Sequence, residues 1–390
     1  MRAPDQPTTA GVVTAVVGFT SAFAVVLAGL RAVGATPAQA ASGLMVVTVA
    51  MGLATVLLAA RTRQPVTIAW STPGAALLVT TGAVDGGWPA AVAGFLLCGV
   101  LLAAVGLVRP LADLVRRIPA DLAAAMLAGV LLDLCLAPVR GLAEAPLLVA
   151  PVVIVWAVLL RLAPRWAAAV ALVVASGLAF SSPAVRALGA DAWVPDLVWT
   201  TPEPTAAAVV SLAVPLFVVT MASQNLPGLA VLAGFGYRPA LRPVLLTTGL
   251  GTALVAPFGG HAINLAAISA ALAAGPEAGP DPARRWRAAA TAGVGYVVLG
   301  LGSAGVAAIA LAAPGGLIEA AAGLALVATL AGALRGAFAT ATAPAAAVAP
   351  AVTFLVTASG MQLAGIGSAF WGLVGGGLLA ALLHRRPTTP

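Results

Sequence analysis

The sequence predicts an all-α, polytopic membrane protein with fourteen transmembrane spans in two inverted seven-span repeats. Three observations carry this. Hydrophobic residues make up 61% of the 390 and charged residues 8%, whereas a soluble domain carries about a quarter charged residues. So apolar a chain is at home only where lipid is the solvent. Apolar runs near the roughly 20 residues that a span needs recur along the whole chain. The basic residues, all of them Arg, fall in short clusters between those runs.

Taken in order, Met1 to Ala10 is a short polar start, and the apolar run from Gly11 to Leu30 is too long for a signal-peptide core. Cutting at Arg, Pro and Gly clusters gives spans 1 to 4 as Gly11–Ala32, Ala38–Ala60, Pro65–Gly82 and Trp88–Val108. Spans 5 to 7 are Pro119–Leu136, Ala145–Leu162 and Trp166–Phe180, and a polar connection covers 181–204. Spans 8 to 11 are Thr205–Asn225, Leu241–Val255, Phe258–Ala274 and Arg287–Ala312. Spans 12 to 14 are Gly316–Leu334, Thr340–Thr357 and Gly365–Leu383.

Charge tests this segmentation. With the N-terminus in the cytoplasm, alternation leaves 16 of the 19 basic residues inside. Arg2, Arg109, Arg116, Arg117, Arg165, Arg385 and Arg386 are among them, and only Arg31, Arg140 and Arg186 fall outside. That asymmetry is the positive-inside pattern, and it puts both termini in the cytoplasm. Residues 1–180 and 205–390 then form two seven-span halves. An odd number of spans in each half makes the second enter from the opposite side, which is an inverted repeat.

Composition also excludes. The net charge of +7 forms no basic face with interleaved aromatics, so nucleic acid is not a partner. Without Lys there is no phosphate loop of the Gly-x-x-x-x-Gly-Lys type, and an ion or proton gradient is left to supply energy. Cys98 and Cys135 sit in apolar runs and form no metal pattern; no cofactor is implied. No nucleophile-and-base arrangement suggests an enzyme.

Two spans differ from the rest. Span 3 carries Trp70-Ser71-Thr72-Pro73-Gly74, and span 10 opens with Pro257-Phe258-Gly259-Gly260-His261, followed by Asn264. Both put Pro and Gly at membrane depth, at corresponding places in the two halves, the best sequence pointer to a transport site. Helices restarting there would offer backbone N–H groups and a dipole to an anion. His261 is either a substrate or proton group or a packed histidine bonded to a carbonyl. Gln224 and Asn225, at the end of span 8, can donate to a carboxylate without adding negative charge, or they join helices. Asp133 and Glu319, near span ends, are proton-relay candidates or interface residues. Phe19, with Thr20 and Ser21 beside it, offers a ring to an aromatic ligand or simply packs. Asp121 follows Pro119 as a dipole partner, and His384 lies at the C-terminal interface.

Several of these stretches resemble the benzoate/proton symporter family. They are Val17-Gly18-Phe19-Thr20-Ser21, Thr220 through Gly228, Ala256 through Ile268, and Gly275 through Pro282 with Arg284-Arg285-Trp286. The resemblance covers essentially the whole chain. It implies kinship in fold with uracil/proton symporters and sulfate-type anion transporters. On that pattern, spans 1–4 and 8–11 form a core, and spans 5–7 and 12–14 a gate. Spans 3 and 10 would be short strands followed by half-helices meeting at the substrate, and homodimers are common. It also implies benzoate or a similar aromatic acid as substrate, moved with protons across a bacterial inner membrane. Nucleobase symporters carry carboxylates on spans 8 and 10; this chain has Ser223, Gln224, Asn225 and His261 in that region. An acid titrating near about 4 is already an anion at neutral pH, so neutral donors suit it. The expected carboxylate site lies near Thr72, Pro73, Gly74, Gly259, Gly260 and His261, with Gln224, Asn225 and Asn264 orienting and Phe19 against the ring. An uncoupled anion channel or exchanger of the same fold is the alternative.

Overall fold

A computed structural model describes residues 6–108, 119–339, 341, 344–363 and 366–384. Arg2, Arg109, Arg116, Arg117, Arg385 and Arg386, and the side chain of His384, lie outside the described residues.

The first half begins with α1 (Gln6–Thr20), α2 (Phe23–Ala32) and α3 (Pro37–Thr62). It continues with β1 (Ile68–Trp70), α4 (Thr72–Thr81), α5 (Gly87–Leu107), α6 (Ala120–Glu144), α7 (Pro146–Leu162) and α8 (Ala167–Ala179). The second half has α9 (Ala206–Gly234), α10 (Leu241–Val255), β2 (Ile263–Leu265), α11 (Ile268–Ala274), α12 (Trp286–Leu301) and α13 (Ser303–Ala312). It ends with α14 (Leu317–Phe338), α15 (Pro344–Ala358), the small hairpin β3 (Gln362–Leu363) and β4 (Ile366–Gly367), and α16 (Ser368–His384). Long apolar helices, the bent pair α12–α13, four shorter apolar helices and the two strand-plus-half-helix segments fall in the order of the fourteen expected spans.

Local chemistry fixes several ends. α3 starts on a capping box, Thr36 with Gln39, and Pro37 takes the first turn where no N–H is missed. Span 1 runs as one apolar stretch, Gln6–Ala32, with a local turn at Ser21-Ala22. The Thr20 and Ser21 hydroxyls donate back to the Val16 and Gly18 carbonyls, which gives the backbone an alternative to helix continuation. Span 11 bends by 56° at Gly302, a Gly-Ser junction where Ser303 donates to the Gly300 carbonyl.

The packing falls into two groups. In one, α3 lies along α12, α5 along α10, and α1 along α12. In the other, α14 and α15 pack on α6, and α15 on α16. Apposed glycines set the closest approaches: a Cβ at Gly52 would stand 2.6 Å from the Gly293 carbonyl, and one at Gly293 2.7 Å from the Gly52 carbonyl. Dispersion and close backbone contact, rather than water exclusion, join helices in lipid.

Contacts between distant segments respect the charge-based alternation. At one end, Thr200 accepts from the Trp88 indole and its N–H donates to the Pro257 carbonyl, and Ser42 donates to the Phe258 carbonyl. At the other end, Arg63 covers the Trp286 ring, Tyr237 donates to the Pro282 carbonyl, and Arg165 faces Glu277. Buried Arg285 also sits at this end, donating to the Ala274 and Gly279 carbonyls and so closing the C-terminus of α11.

Candidate functional site

The two broken segments meet at the centre. β1 pairs antiparallel with β2, with Ile68 opposite Leu265, Ala69 opposite Asn264 and Trp70 opposite Ile263. Two three-residue strands exchanging bonds with each other satisfy backbone groups that lipid depth would otherwise leave unpaired. From this junction α4 departs to one end and α11 to the other.

The helical half of span 10 starts at Ile268, not at Gly260. Gly259 and Gly260 instead form the turn that leaves α10, with Gly259 at φ +89 and a Cβ there 3.1 Å from both the Gln39 carbonyl and the Trp88 ring. His261 therefore precedes a strand and is not at a helix start. Span 8 likewise does not end at Asn225, because α9 continues to Gly234. It does so through two π-turns, Val209–Ala213 and Met221–Asn225, whose closing N–H groups, of Val214 and Leu226, reach back five residues. Each turn lies two residues before a proline, Pro215 and Pro227. A proline ring crowds the carbonyl four residues earlier, and a widened turn gives it room. Such turns mark functional sites in many helices; this one sets Gln224 and Asn225 to different tasks.

A network of fully buried polar groups stitches the junction. Asn225 Oδ1 accepts from the Leu265 N–H at 2.9 Å. Thr220 donates to Ser71 Oγ at 3.0 Å, and Ser71 Oγ also accepts from the Gly74 N–H at 3.1 Å, capping α4. Asn264, with its amide turned so that both groups are satisfied, accepts from the Ser71 N–H at 3.1 Å and donates to the Leu265 carbonyl at 2.9 Å. His261 is buried, with Nε2 3.3 Å from the Ser71 carbonyl and no partner at Nδ1. Nε2 facing a carbonyl carries the proton, which leaves Nδ1 as the ring's bare acceptor.

Beside the strands lies a cavity of about 280 Å³. α1 and its turn contribute Gly18, Ser21 and Ala22; β1 and the start of α4 contribute Trp70, Thr72 and Pro73. α9 contributes Gln224, and the start of α11 contributes Ala266, Ala267 and Ser269. The opposite wall comes from the second packing group, with Leu131 of α6, Pro164 and Arg165 before α8, and Leu326 and Thr329 of α14. Its size is at the low end for ligand pockets, and its lining is mostly apolar with few polar groups, as small-molecule sites are. Ala267, which precedes α11, offers no side-chain cap, in contrast to Ser71 before α4.

The residues singled out from sequence thus separate. Ser21, Thr72, Pro73 and Gln224 line the cavity. Asn225, Asn264 and His261 belong to the network behind it, and Gly74 packs against α9, where a Cβ would come 2.5 Å from Leu216 Cδ1. Phe19 stands one ring back: it stacks on Phe23 at 5.5 Å and tilts against Trp70 at 5.6 Å, so Trp70 is the ring that reaches the cavity. Thr20 is bonded to its own helix. Asp133 is paired with Arg140 at 2.7 Å, both side chains half exposed, and Glu319 is exposed in the first turn of α14, a favourable place for a carboxylate at a helix start. Sequence reading passed over Trp70, Arg165, Ser269 and Thr329. Trp70 had a signal, an aromatic inside the broken segment; the others become neighbours only through folding.

The model of the benzoate membrane transport protein family matches residues 4–382. The chain is 38% identical over 388 residues to the inner membrane protein YdcO of Escherichia coli (strain K12), covering 98% of this chain and 96% of that one. It is 30% identical over 338 residues to the benzoate membrane transport protein of Acinetobacter baylyi, covering 85% and 83%. In fold it is similar to the transmembrane domain of a cyanobacterial bicarbonate transporter, with TM-score 0.60, 16% identity and coverage of 95% and 96%. It is also similar to the murine Slc26a9 anion transporter in its inward-facing state, with TM-score 0.60, 13% identity and coverage of 98% and 69%. That fold has inverted repeats with core and gate domains.

Proposed function

The chain belongs to the benzoate membrane transport family, and we propose that it imports benzoate or a closely related small aromatic carboxylate together with protons. The observation that carries this reading is the central cavity, where the two broken spans meet the opposing wall. It combines one reachable ring, Trp70, with neutral donors at Thr72 and Gln224, and no carboxylate lines it among the described residues. A buried carboxylate needs donors without a competing negative charge. Apolar surface from Leu131 and Leu326 suits the rest of a small ring.

On this reading Gln224 and Thr72 orient the carboxylate, and Asn225, Asn264 and Ser71 hold the elements that present them. His261 carries the proton at its bare Nδ1 and passes its state to the cavity through Ser71, which caps the helix bearing Thr72. The group of α1–α5 with α9–α13 acts as core and the remaining helices as gate. The arginine-rich end is cytoplasmic, and both termini lie there.

Uptake of labelled benzoate into proteoliposomes tests the reading. An inward proton gradient should drive accumulation, and absence of uptake under that gradient would reject it. His261→Gln should keep benzoate binding while abolishing the proton-driven component; full coupling in that variant would move the proton elsewhere. One observation favours a second reading, uncoupled passage of the anion: among the described residues no acid or histidine lines the cavity itself. Recording pH change alongside substrate flux separates the two.

A further inference from the structure

Arg165 is the one charged side chain lining the central cavity among the described residues. It also lines a second cavity of about 200 Å³, with Gln6, Thr9, Leu272 and Glu277. Arg165 and Leu272 belong to both linings, so the two spaces adjoin there and Arg165 stands at the mouth of the inner one. Its Nη1 is 3.6 Å from Glu277 Oε2, with the two side chains 54% and 61% exposed. Arg165 precedes α8 in one packing group; Glu277 follows α11 in the other.

The magnitude of this contact decides what it can do. At 3.6 Å it is longer than a charge-assisted hydrogen bond. At such exposure water and salt screen it, so it contributes little to stability. It cannot clamp two bodies together. It is a carboxylate loosely held beside a guanidinium at the entrance to a cavity suited to a carboxylate.

We infer that Arg165 is the residue at the cytoplasmic mouth that receives the substrate's carboxylate as it leaves the cavity, and that Glu277 is a built-in competitor for it. The inference rests on the aromatic-carboxylate reading above. An acid entering or leaving this end exchanges with Glu277 on Arg165. The guanidinium fork fits a carboxylate through two parallel bonds, better than the single long contact Glu277 makes. An organic anion moving between an otherwise neutral lining and water gains from a counter-charge on the way. Arg165 without a competitor would retain the acid at the mouth; Glu277, returning as the acid moves on, releases it. Arg165 is thus a binding residue of the path, and Glu277 acts through it.

Concentration-dependent counterflow of labelled benzoate by the full chain in proteoliposomes, with KM read from the arginine-rich side, tests this, because the two variants should move in opposite directions. Arg165→Gln should raise KM by about tenfold with a smaller change in maximal rate, as loss of a charge partner does. Arg165→Lys should recover part of that loss. Glu277→Gln should lower KM by about two- to fivefold and slow the maximal rate, because release is no longer assisted. High salt should blunt both effects. A pair that only tethers the two groups would shift KM in the same direction for both variants, and that result overturns the proposal. So does an unchanged KM in Arg165→Gln. A wild-type chain that takes up no aromatic acid would overturn the substrate reading, and this proposal with it. Normal wild-type uptake with an indifferent Arg165 overturns this proposal alone.

Discussion

The two broken spans occupy matching places yet are built differently. In the first, Ser71 closes its own restart: its hydroxyl accepts from Gly74, receives Thr220, and its N–H is shared with the strand partner. In the second, His261 comes before the strand and Asn264 lies within it, and α11 begins on Ala267 with no side-chain cap. The first break is held from within; the second is held from outside, by Asn225 on the Leu265 N–H and by Arg285 on the Ala274 carbonyl. The lesson is that the conspicuous polar residues of a broken span can be its fastenings. His261, Asn264 and Asn225 hold the junction together, whereas Thr72 and Gln224 face the space where a ligand fits.

Substitutions should expose this division, and the largest effect belongs to the cavity side. Gln224→Glu sets a like charge beside a bound carboxylate, a clash costing several kcal/mol. Benzoate KM should rise by more than about 100-fold while the thermal unfolding midpoint in detergent stays near wild type. An unfolded variant, or unchanged transport, would break the division at its first test. Next comes Asn225→Ala, which strips the acceptor from the buried Leu265 N–H. It should cost about 1–3 kcal/mol of stability, read as a lower unfolding midpoint. The smallest effect is Ser71→Ala. It should cost about 1 kcal/mol, the usual value of an N-cap, because Asn264 and the β1–β2 pairing still hold the first break. A larger loss than that of Asn225→Ala would reverse the comparison.

Much of this was legible in the sequence. The apolar runs and arginine clusters give the span order, and Trp70-Ser71-Thr72-Pro73-Gly74 and Pro257 through His261 mark both breaks. The misreadings have physical causes. Leu226-Pro227-Gly228 looks like a helix stop, but a π-turn lets α9 pass through the proline. Gly259-Gly260-His261 looks like a restart, but those glycines shape a turn before a three-residue strand too short to carry a period of its own. Facing direction was not legible, since a one-residue step separates Gln224, on the cavity, from Asn225, on the strand. Nor was Arg165, which reaches the cavity only because helices distant in sequence close around it.

The most direct test of the central claim is a cryo-electron microscopy map of the chain saturated with benzoate. The account predicts ring density beside Trp70, with the carboxylate within hydrogen-bond reach of Gln224 and Thr72. An acid bound outside this cavity, against Gly259 and His261, would contradict it.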